Sequence, residues 1–154
     1  MNSLDEIREF LGQKRIAVIG VSRNPKDFSR SLFKEFVARG YETVAVNPNA
    51  TEVDGSQFCP RLADVRPAPD AVLLMTPQAI TEDLMQDCAK AGVRHVWIYG
   101  YNGRSKVSPL SLSRLRNAGV NVINGECPFM FLNNSGGIHR FHGFVRKVFH
   151  SYPR

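Results

Sequence analysis

At 154 residues, the chain is long enough to form one domain with a continuous hydrophobic core. Its composition, 43% hydrophobic and 22% charged, is that of a globular protein, and no apolar run approaches the roughly 20 residues that span a bilayer. The net charge of +6 suits a phosphorylated small ligand, nucleic acid or an acidic partner, and does not select among them.

The N-terminal segment predicts a short helix. Ser3 followed by Glu6 forms a capping-box pattern, and apolar residues recur at helical spacing until Gly12. The same segment mixes acids with bases and lacks the apolar stretch and the cleavage site of a secretory signal. We therefore expect a cytoplasmic protein whose three widely spaced cysteines stay reduced.

Five short apolar runs predict strands that are buried in a parallel sheet. They span residues 15–20, 41–46, 71–75, 95–99 and 120–123, and Gly125 is expected to end the last strand. Helical patterns alternate with these runs, whereas residues 51–69 form one irregular connection with at most a short helix around residues 62–65. This order predicts an α/β fold, a Rossmann-like doubly wound parallel sheet of about five strands with flanking helices.

The last residues predict an extra helix with a basic face. Ile138, Phe141, Val145 and Phe149 fall on one stripe, and residues 138–154 contain four bases and no acid. We expect residues 1–137 to form the Rossmann-like domain and this helix to pack on it or on a partner subunit, as in a homodimer. A nucleic-acid or protein adaptor that uses the basic helix is an alternative function, but no exposed aromatic stacking surface is evident.

The loops that follow the strands are the candidate site, because ligands of doubly wound sheets bind at the carboxyl ends of the strands. The first loop leads into a helix whose N-terminus favours an anion. Its glycine permits close backbone approach, and polar and basic side chains follow. The cofactor-binding residues predicted in this loop and helix are Gly20, Ser22, Arg23, Asn24, Pro25, Ser29 and Arg30.

Two nucleotide-binding patterns are missing from these loops. The first loop supplies one glycine of the GxGxxG fingerprint, and Asn47 stands where a dinucleotide site has an acid for the ribose. The GxxxxGK[ST] pattern of phosphate-binding loops is also absent. An NAD(P)-dependent oxidoreductase with an atypical fingerprint is therefore kept as an alternative function.

Catalytic and metal-binding groups are scarce at the strand ends. Glu126 and Cys127 are adjacent, but a neighbouring carboxylate raises the pKa of a thiol instead of activating it. His139 and His142 lack a third ligand, so we predict no metal site. No catalytic residue is predicted, and binding without catalysis is the favoured interpretation.

Residues at all five strand ends together resemble a known family. The matching segments are residues 16–22, 46–48, 75–77, 95–98 and 125–131, of which the last is the most specific. With these motifs the chain resembles the CoA-binding-domain proteins, small stand-alone Rossmann-like domains that are similar to the N-terminal domain of the succinyl-CoA synthetase α subunit. The resemblance implies coenzyme A, or an acyl-CoA, bound across the strand ends. Besides the first loop and Asn47, it predicts contacts from Pro48, Asn49, Thr76, Pro77, Ile98, Tyr99, Gly100, Cys127 and Pro128.

The chain also departs from the synthetase pattern. The lysine that follows the synthetase's second strand has no counterpart at Asn49 or Ala50, and no histidine stands in the context of the synthetase's phosphorylated histidine. The resemblance therefore implies binding and not ligase activity. We expect a non-catalytic module with a regulatory role, whose partner is a small-molecule CoA ligand and not a membrane or nucleic acid.

Overall fold

The computed structural model describes residues 2–49, 52–53, 56–100, 105 and 107–132. The helices within them are α1 (Leu4–Leu11), α2 (Phe28–Ala38), α3 (Gln78–Lys90) and α4 (Pro109–Asn117). The strands are β1 (Arg15–Ile19), β2 (Glu42–Val46), β3 (Glu52–Val53), β4 (Ser56–Cys59), β5 (Ala71–Leu74), β6 (His95–Tyr99) and β7 (Asn121–Glu126). Short 3-10 helices lie at Leu62–Asp64 and Pro128–Met130.

The strands form one sheet in the order β3-β4-β2-β1-β5-β6-β7. β1 pairs in parallel with β2 and β5, while β4, β6 and β7 extend the parallel sheet on either side. The two-residue β3 runs antiparallel to β4. Counted among themselves, the six parallel strands follow the order of Rossmann dinucleotide-binding sheets, third-second-first-fourth-fifth-sixth. The predicted Rossmann-like α/β fold is confirmed.

Helices cover both faces of this sheet. In β1, Ala17 and Ile19 face the layer that contains α3 and α4, whereas Ile16 and Val18 face the layer that contains α1 and α2. This alternation follows from strand geometry, in which successive side chains point to opposite faces. Because both faces are buried, β5 is apolar throughout and β1 and β6 are apolar after their first residue, and this makes these strands visible in the sequence.

The N-terminal helix begins as the sequence predicts. The Ser3 hydroxyl accepts the Glu6 backbone N–H at 3.1 Å, and the Glu6 carboxylate accepts the Ser3 backbone N–H at 2.6 Å. These two bonds satisfy donors that a helix N-terminus otherwise leaves unpaired, so they define where α1 starts. None of the described helices is long and apolar enough to cross a membrane.

Two features of the sheet differ from the prediction. Residues 51–69, expected to be an irregular connection, contain β3, β4 and the 3-10 helix at Leu62–Asp64. Phe58 is the single large apolar residue of β4, and the strand pairs with β2 through only two residue pairs, so no apolar run reveals it. The predicted end of the last strand at Gly125 is also wrong, because β7 continues through a register shift to Glu126.

The predicted C-terminal helix of residues 138–154 lies outside the described residues, as do His139 and His142. The domain boundary at residue 137 and the docking of that helix therefore stay predictions.

Candidate functional site

The site begins where β1 and β5 end side by side. These neighbouring strands lead to opposite halves of the sheet, which is the point where doubly wound folds bind ligands. Gly20 follows β1 with a φ of +95°, and a Cβ built on it would lie 2.5 Å from the Met75 carbonyl oxygen. The Gly20 backbone N–H donates to the Val46 carbonyl of β2 at 3.1 Å. Only a residue without a side chain allows the three strand ends to meet so closely.

The first loop, residues 21–27, is shaped by its own side chains. The Ser22 hydroxyl accepts the Asn24 backbone N–H at 3.1 Å, and the Asn24 side chain accepts the Lys26 backbone N–H at 3.0 Å. Pro25 is exposed in the turn that these bonds enclose. Asp27 caps α2 by accepting the Ser29 backbone N–H at 2.8 Å. The loop therefore has a defined shape before any ligand contacts it.

Ser29 and Arg30 lie beneath this loop and not on its outer surface. They are 4% and 2% exposed, respectively. The Ser29 hydroxyl accepts the Ser22 backbone N–H at 2.9 Å, and Arg30 Nη1 donates to the carbonyls of Ser22 and Arg23, both at 3.3 Å. In the structure, both residues hold the loop backbone in place through these bonds. Direct contact of either residue with a ligand stays a prediction.

Asn47 joins the first loop to the loop after β2. Its Nδ2 donates to the Val21 carbonyl at 2.8 Å, and its Oδ1 accepts the Asn49 backbone N–H at 2.8 Å. The Asn47 backbone N–H donates to the Cys59 carbonyl at the end of β4, at 3.0 Å. Asn47, which stands where a dinucleotide site has an acid for the ribose, thus connects the ends of β1, β2 and β4 through hydrogen bonds.

An open polar recess of about 590 Å³ lies over these two loops. It is lined by Ser22, Arg23, Asn24, Asn47 and Asn49. Arg23 is exposed and contributes the one charge of this lining. The polar side chains and the one guanidinium of this lining are together suited to a phosphate group.

A larger apolar groove of about 930 Å³ adjoins this recess and shares Asn47 and Asn49 with it. One wall is the segment of residues 60–69, and the other is α3 with the loop before it. Its apolar surface comes from Ile19, Val46, Pro48, Leu62, Val65, Pro77, Ile80 and Leu84. Gly20 and Thr76 lie at the end where the groove meets the strand ends. Pro48, Asn49, Thr76 and Pro77, all predicted from the family resemblance, therefore line one continuous surface with the first loop.

The remaining predicted residues gather at the ends of β6 and β7. Ile98, Gly100, Cys127 and Pro128 are buried there, and Tyr99 is half-buried. The Phe28 ring, at the start of α2, lies 5.3 Å from the Tyr99 ring and 5.6 Å from the Phe129 ring, measured between centroids. The first loop thus leads directly to this aromatic cluster, although the cluster's residues do not line the recess or the groove.

The buried thiols are not activated nucleophiles. Burial raises the pKa of Cys127, and the neighbouring Glu126 carboxylate raises it further. Burial also raises the pKa of Cys88, to about 12. In the part of the chain that the structure describes, no group of three His, Cys, Asp or Glu side chains is arranged to hold a metal ion.

Several residues of the groove were not predicted from the sequence. They are Arg61, Leu62, Val65 and Arg66 on one wall and Ile80 and Leu84 on the other. Thr81, behind this lining, was not predicted either; it is 2% exposed, and its hydroxyl lies 2.9 Å from the hydroxyl of the groove residue Thr76. The available signal was the pattern Arg-Leu-Ala-Asp-Val-Arg in residues 61–66, in which three apolar residues and one acid lie between two arginines.

The chain is similar to proteins that have been characterised or solved. The model of the family described as "CoA binding domain" matches residues 14–133. The ADP-forming acetate–CoA ligase II of Archaeoglobus fulgidus is 24% identical over 94 residues, which are 60% of this chain and 14% of the ligase. The chain therefore spans a small part of that curated relative's length.

Two solved structures show the same fold. A hypothetical protein from Pyrococcus horikoshii OT3 superposes with a TM-score of 0.71 at 24% identity, over 80% of this chain and 85% of that one. The dinucleotide-forming acetyl-coenzyme A synthetase 1 of Ca. Korarchaeum cryptofilum, in complex with phosphate and ADP, gives 0.66 at 25% identity, over 81% of this chain and 28% of the synthetase. Since the family model covers most of the sequence and the strand-end motifs resemble the same group, the chain belongs to the CoA binding domain family.

Proposed function

We propose that this chain binds coenzyme A, or an acyl-CoA, across the carboxyl ends of its parallel strands. The observation that carries this proposal is the pairing of a polar recess with an apolar groove at the point where β1 and β5 diverge. CoA has the matching pattern, because a pyrophosphate separates its adenosine from a long pantetheine arm. Membership of the CoA binding domain family supports the same ligand.

The pyrophosphate is proposed to lie in the polar recess. Arg23 is exposed there and supplies a charge-assisted donor, while Ser22 and Asn24 are further polar groups of the lining. The buried Ser29 and Arg30 support this contact by fixing the loop backbone underneath. A loop that is already shaped loses less conformational entropy when it binds, and this favours affinity.

The adenosine is proposed to lie in the apolar groove. In sheets of this strand order, the adenosine ribose lies at the end of the second strand, which here is β2, followed by Asn47 and Pro48. A volume of about 930 Å³ falls within the roughly 300–1,000 Å³ of small-molecule sites. Ile80 is 52% exposed at the groove, an apolar surface that a flat base would cover.

The pantetheine arm is then directed to the other side of β1, toward the ends of β6 and β7. Tyr99, Cys127 and Pro128 lie at these ends, beside the aromatic cluster that follows the first loop. The raised pKa of Cys127 supports a binding role for this end and not nucleophilic catalysis. A non-catalytic, regulatory module in the cytoplasm is our proposal for the chain as a whole.

The geometry gives less support to an NAD(P)-dependent oxidoreductase. A dinucleotide site uses a carboxylate at the end of the second strand to accept hydrogen bonds from the ribose. Asn47 occupies that place with a neutral amide whose two ends already bond to Val21 and Asn49. The adaptor function proposed for residues 138–154 rests on residues outside the described part of the chain.

Arg23→Ala tests the placement of the pyrophosphate. Titration calorimetry with CoA should show a loss of about 1–3 kcal/mol in binding free energy, as expected for one charge-assisted contact. The matched control is Arg94→Ala, because Arg94 is an exposed arginine just before β6, at the amino end of that strand and so away from the carboxyl ends that form the site. Equal CoA affinities of the two variants would remove Arg23 from the binding site.

A further inference from the structure

The charged side chains around the apolar groove are unequally distributed. Arg61, Arg66 and Lys90 line it, against one acid, Asp87. Asp87 pairs with Lys90 at 3.9 Å, on the α3 wall. The wall formed by residues 60–69 therefore contributes two arginines and no acid to the lining.

Arg61 is held in a fixed orientation on this wall. Its Nε donates to Asp64 Oδ2 at 2.9 Å and its Nη2 donates to Asp64 Oδ1 at 3.0 Å, so the two planar groups form a two-bond pair. This pair leaves the Nη1 group and one Nη2 hydrogen outside it, and the Arg61 side chain is 75% exposed. An oriented guanidinium loses less rotamer entropy when it binds an anion than a mobile one does.

Arg66 is anchored to the same segment. Its Nη1 donates to the Ala63 carbonyl at 2.7 Å and to the Val65 carbonyl at 2.9 Å. The segment itself begins beside the end of β2, because Val46 and Cys59 are paired residues and Asn47 donates to the Cys59 carbonyl. Both arginines thus belong to a wall that starts at the strand end where the adenosine ribose is placed.

We propose that Arg61, supported by Arg66, binds a phosphomonoester on that ribose and so makes the site selective for phosphorylated adenosine. This inference rests on the proposed function. A phosphomonoester carries close to two negative charges and three acceptor oxygens, which match a planar guanidinium. The loop after β2 offers Asn49, an uncharged side chain, so the positive charge comes from the facing wall. The 3′-phosphate of CoA and the 2′-phosphate of NADP share this chemistry.

Calorimetry on the full chain with matched ligand pairs tests the assignment. The wild-type protein should bind CoA more tightly than dephospho-CoA, and Arg61→Gln should lower CoA affinity by about tenfold. Its dephospho-CoA affinity should change less than about twofold, because that ligand lacks the phosphate that Arg61 contacts. Titrations with NADP and NAD distinguish the 2′-phosphate from the 3′-phosphate. If Arg61→Gln lowered the affinity for NADP but not for NAD, the phosphate that Arg61 contacts would be the one at the 2′ position.

The matched control is Arg8→Gln. Arg8 pairs with Asp5 at 3.0 Å on α1 and is 74% exposed. Like Arg61 and Asp64, these two residues are three apart in the sequence, but they do not line the groove. This variant should leave CoA affinity unchanged, and thermal unfolding should show that both variants fold.

The inference is overturned if Arg61→Gln lowers the affinities for CoA and dephospho-CoA equally, changes neither affinity, or has no larger effect on CoA affinity than Arg8→Gln. Wild-type protein that binds dephospho-CoA as tightly as CoA overturns this inference alone, whereas failure to bind either ligand overturns the proposed function as well.

Discussion

Gly20→Ala should perturb both the candidate site and the fold, because Gly20 lies against the Met75 carbonyl where β1 and β5 end side by side. The alanine Cβ would lie 2.5 Å from the Met75 carbonyl oxygen and 2.8 Å from its carbonyl carbon, so one strand end must withdraw by about half an ångström or more. Met75 donates its backbone N–H to the Ile19 carbonyl at 2.8 Å, and that bond is strained by the same movement. The required φ of +95° costs an alanine about 1–2 kcal/mol, and the displacement adds roughly 1–3 kcal/mol.

Gly40→Ala separates these two contributions. Gly40 has a φ of +85°, but a Cβ there meets nothing within 4 Å, so this variant carries the conformational cost alone. Urea unfolding should show Gly20→Ala to be less stable than the wild type by about 2–5 kcal/mol, and less stable than Gly40→Ala by at least about 1 kcal/mol. CoA affinity should fall only for Gly20→Ala. Equal losses of stability in the two variants would refute the close approach of β1 and β5.

Two further predictions concern the three thiols and the Glu82 carboxylate. In titration with a thiol reagent at neutral pH, the half-buried Cys59 should react first and Cys127 much later, while Cys88 should react only on unfolding, since burial raises its pKa to about 12. The Glu82 carboxylate accepts the Ser108 backbone N–H at the start of α4, and this bond holds the pKa of Glu82 below its ordinary value. Its contribution to stability is therefore complete above the ordinary carboxyl pKa and is lost as the pH falls through the lowered one, so the stability gap between wild type and Glu82→Gln should shrink on acidification.

Most of the fold could be predicted from the sequence because the central strands are buried on both faces. β1, β5 and β6 lie among helices on either side, and such strands are continuous apolar runs. β4 could not be predicted in this way. It lies toward one edge of the sheet and makes two residue pairs with β2, and Phe58 is its single large apolar residue. β4 joins the sheet through backbone hydrogen bonds to β2, and the spacing of apolar side chains in the sequence gives no sign of such bonds.

The candidate site was predictable in its loops and not in its groove. Gly20, Ser22, Arg23 and Asn24 follow a strand directly, and strand ends are the expected place for ligands in this fold. The wall of residues 60–69 has no such marker, because it is brought to the site by the pairing of β4 with β2 and by the packing of Leu62 and Val65 in the core. The sequence also does not reveal that Ser29 and Arg30 lie under the loop, since helical spacing leaves open which residues of the first turn face inward.

The proposed ligand is tested most directly by calorimetric titration of the wild-type chain with CoA, NAD and NADP under identical conditions. If the recess holds the pyrophosphate of CoA and the groove holds its adenosine, CoA should bind with one site per chain and more tightly than either nicotinamide dinucleotide. Tighter binding of NAD or NADP than of CoA, or no binding of CoA, would contradict the account.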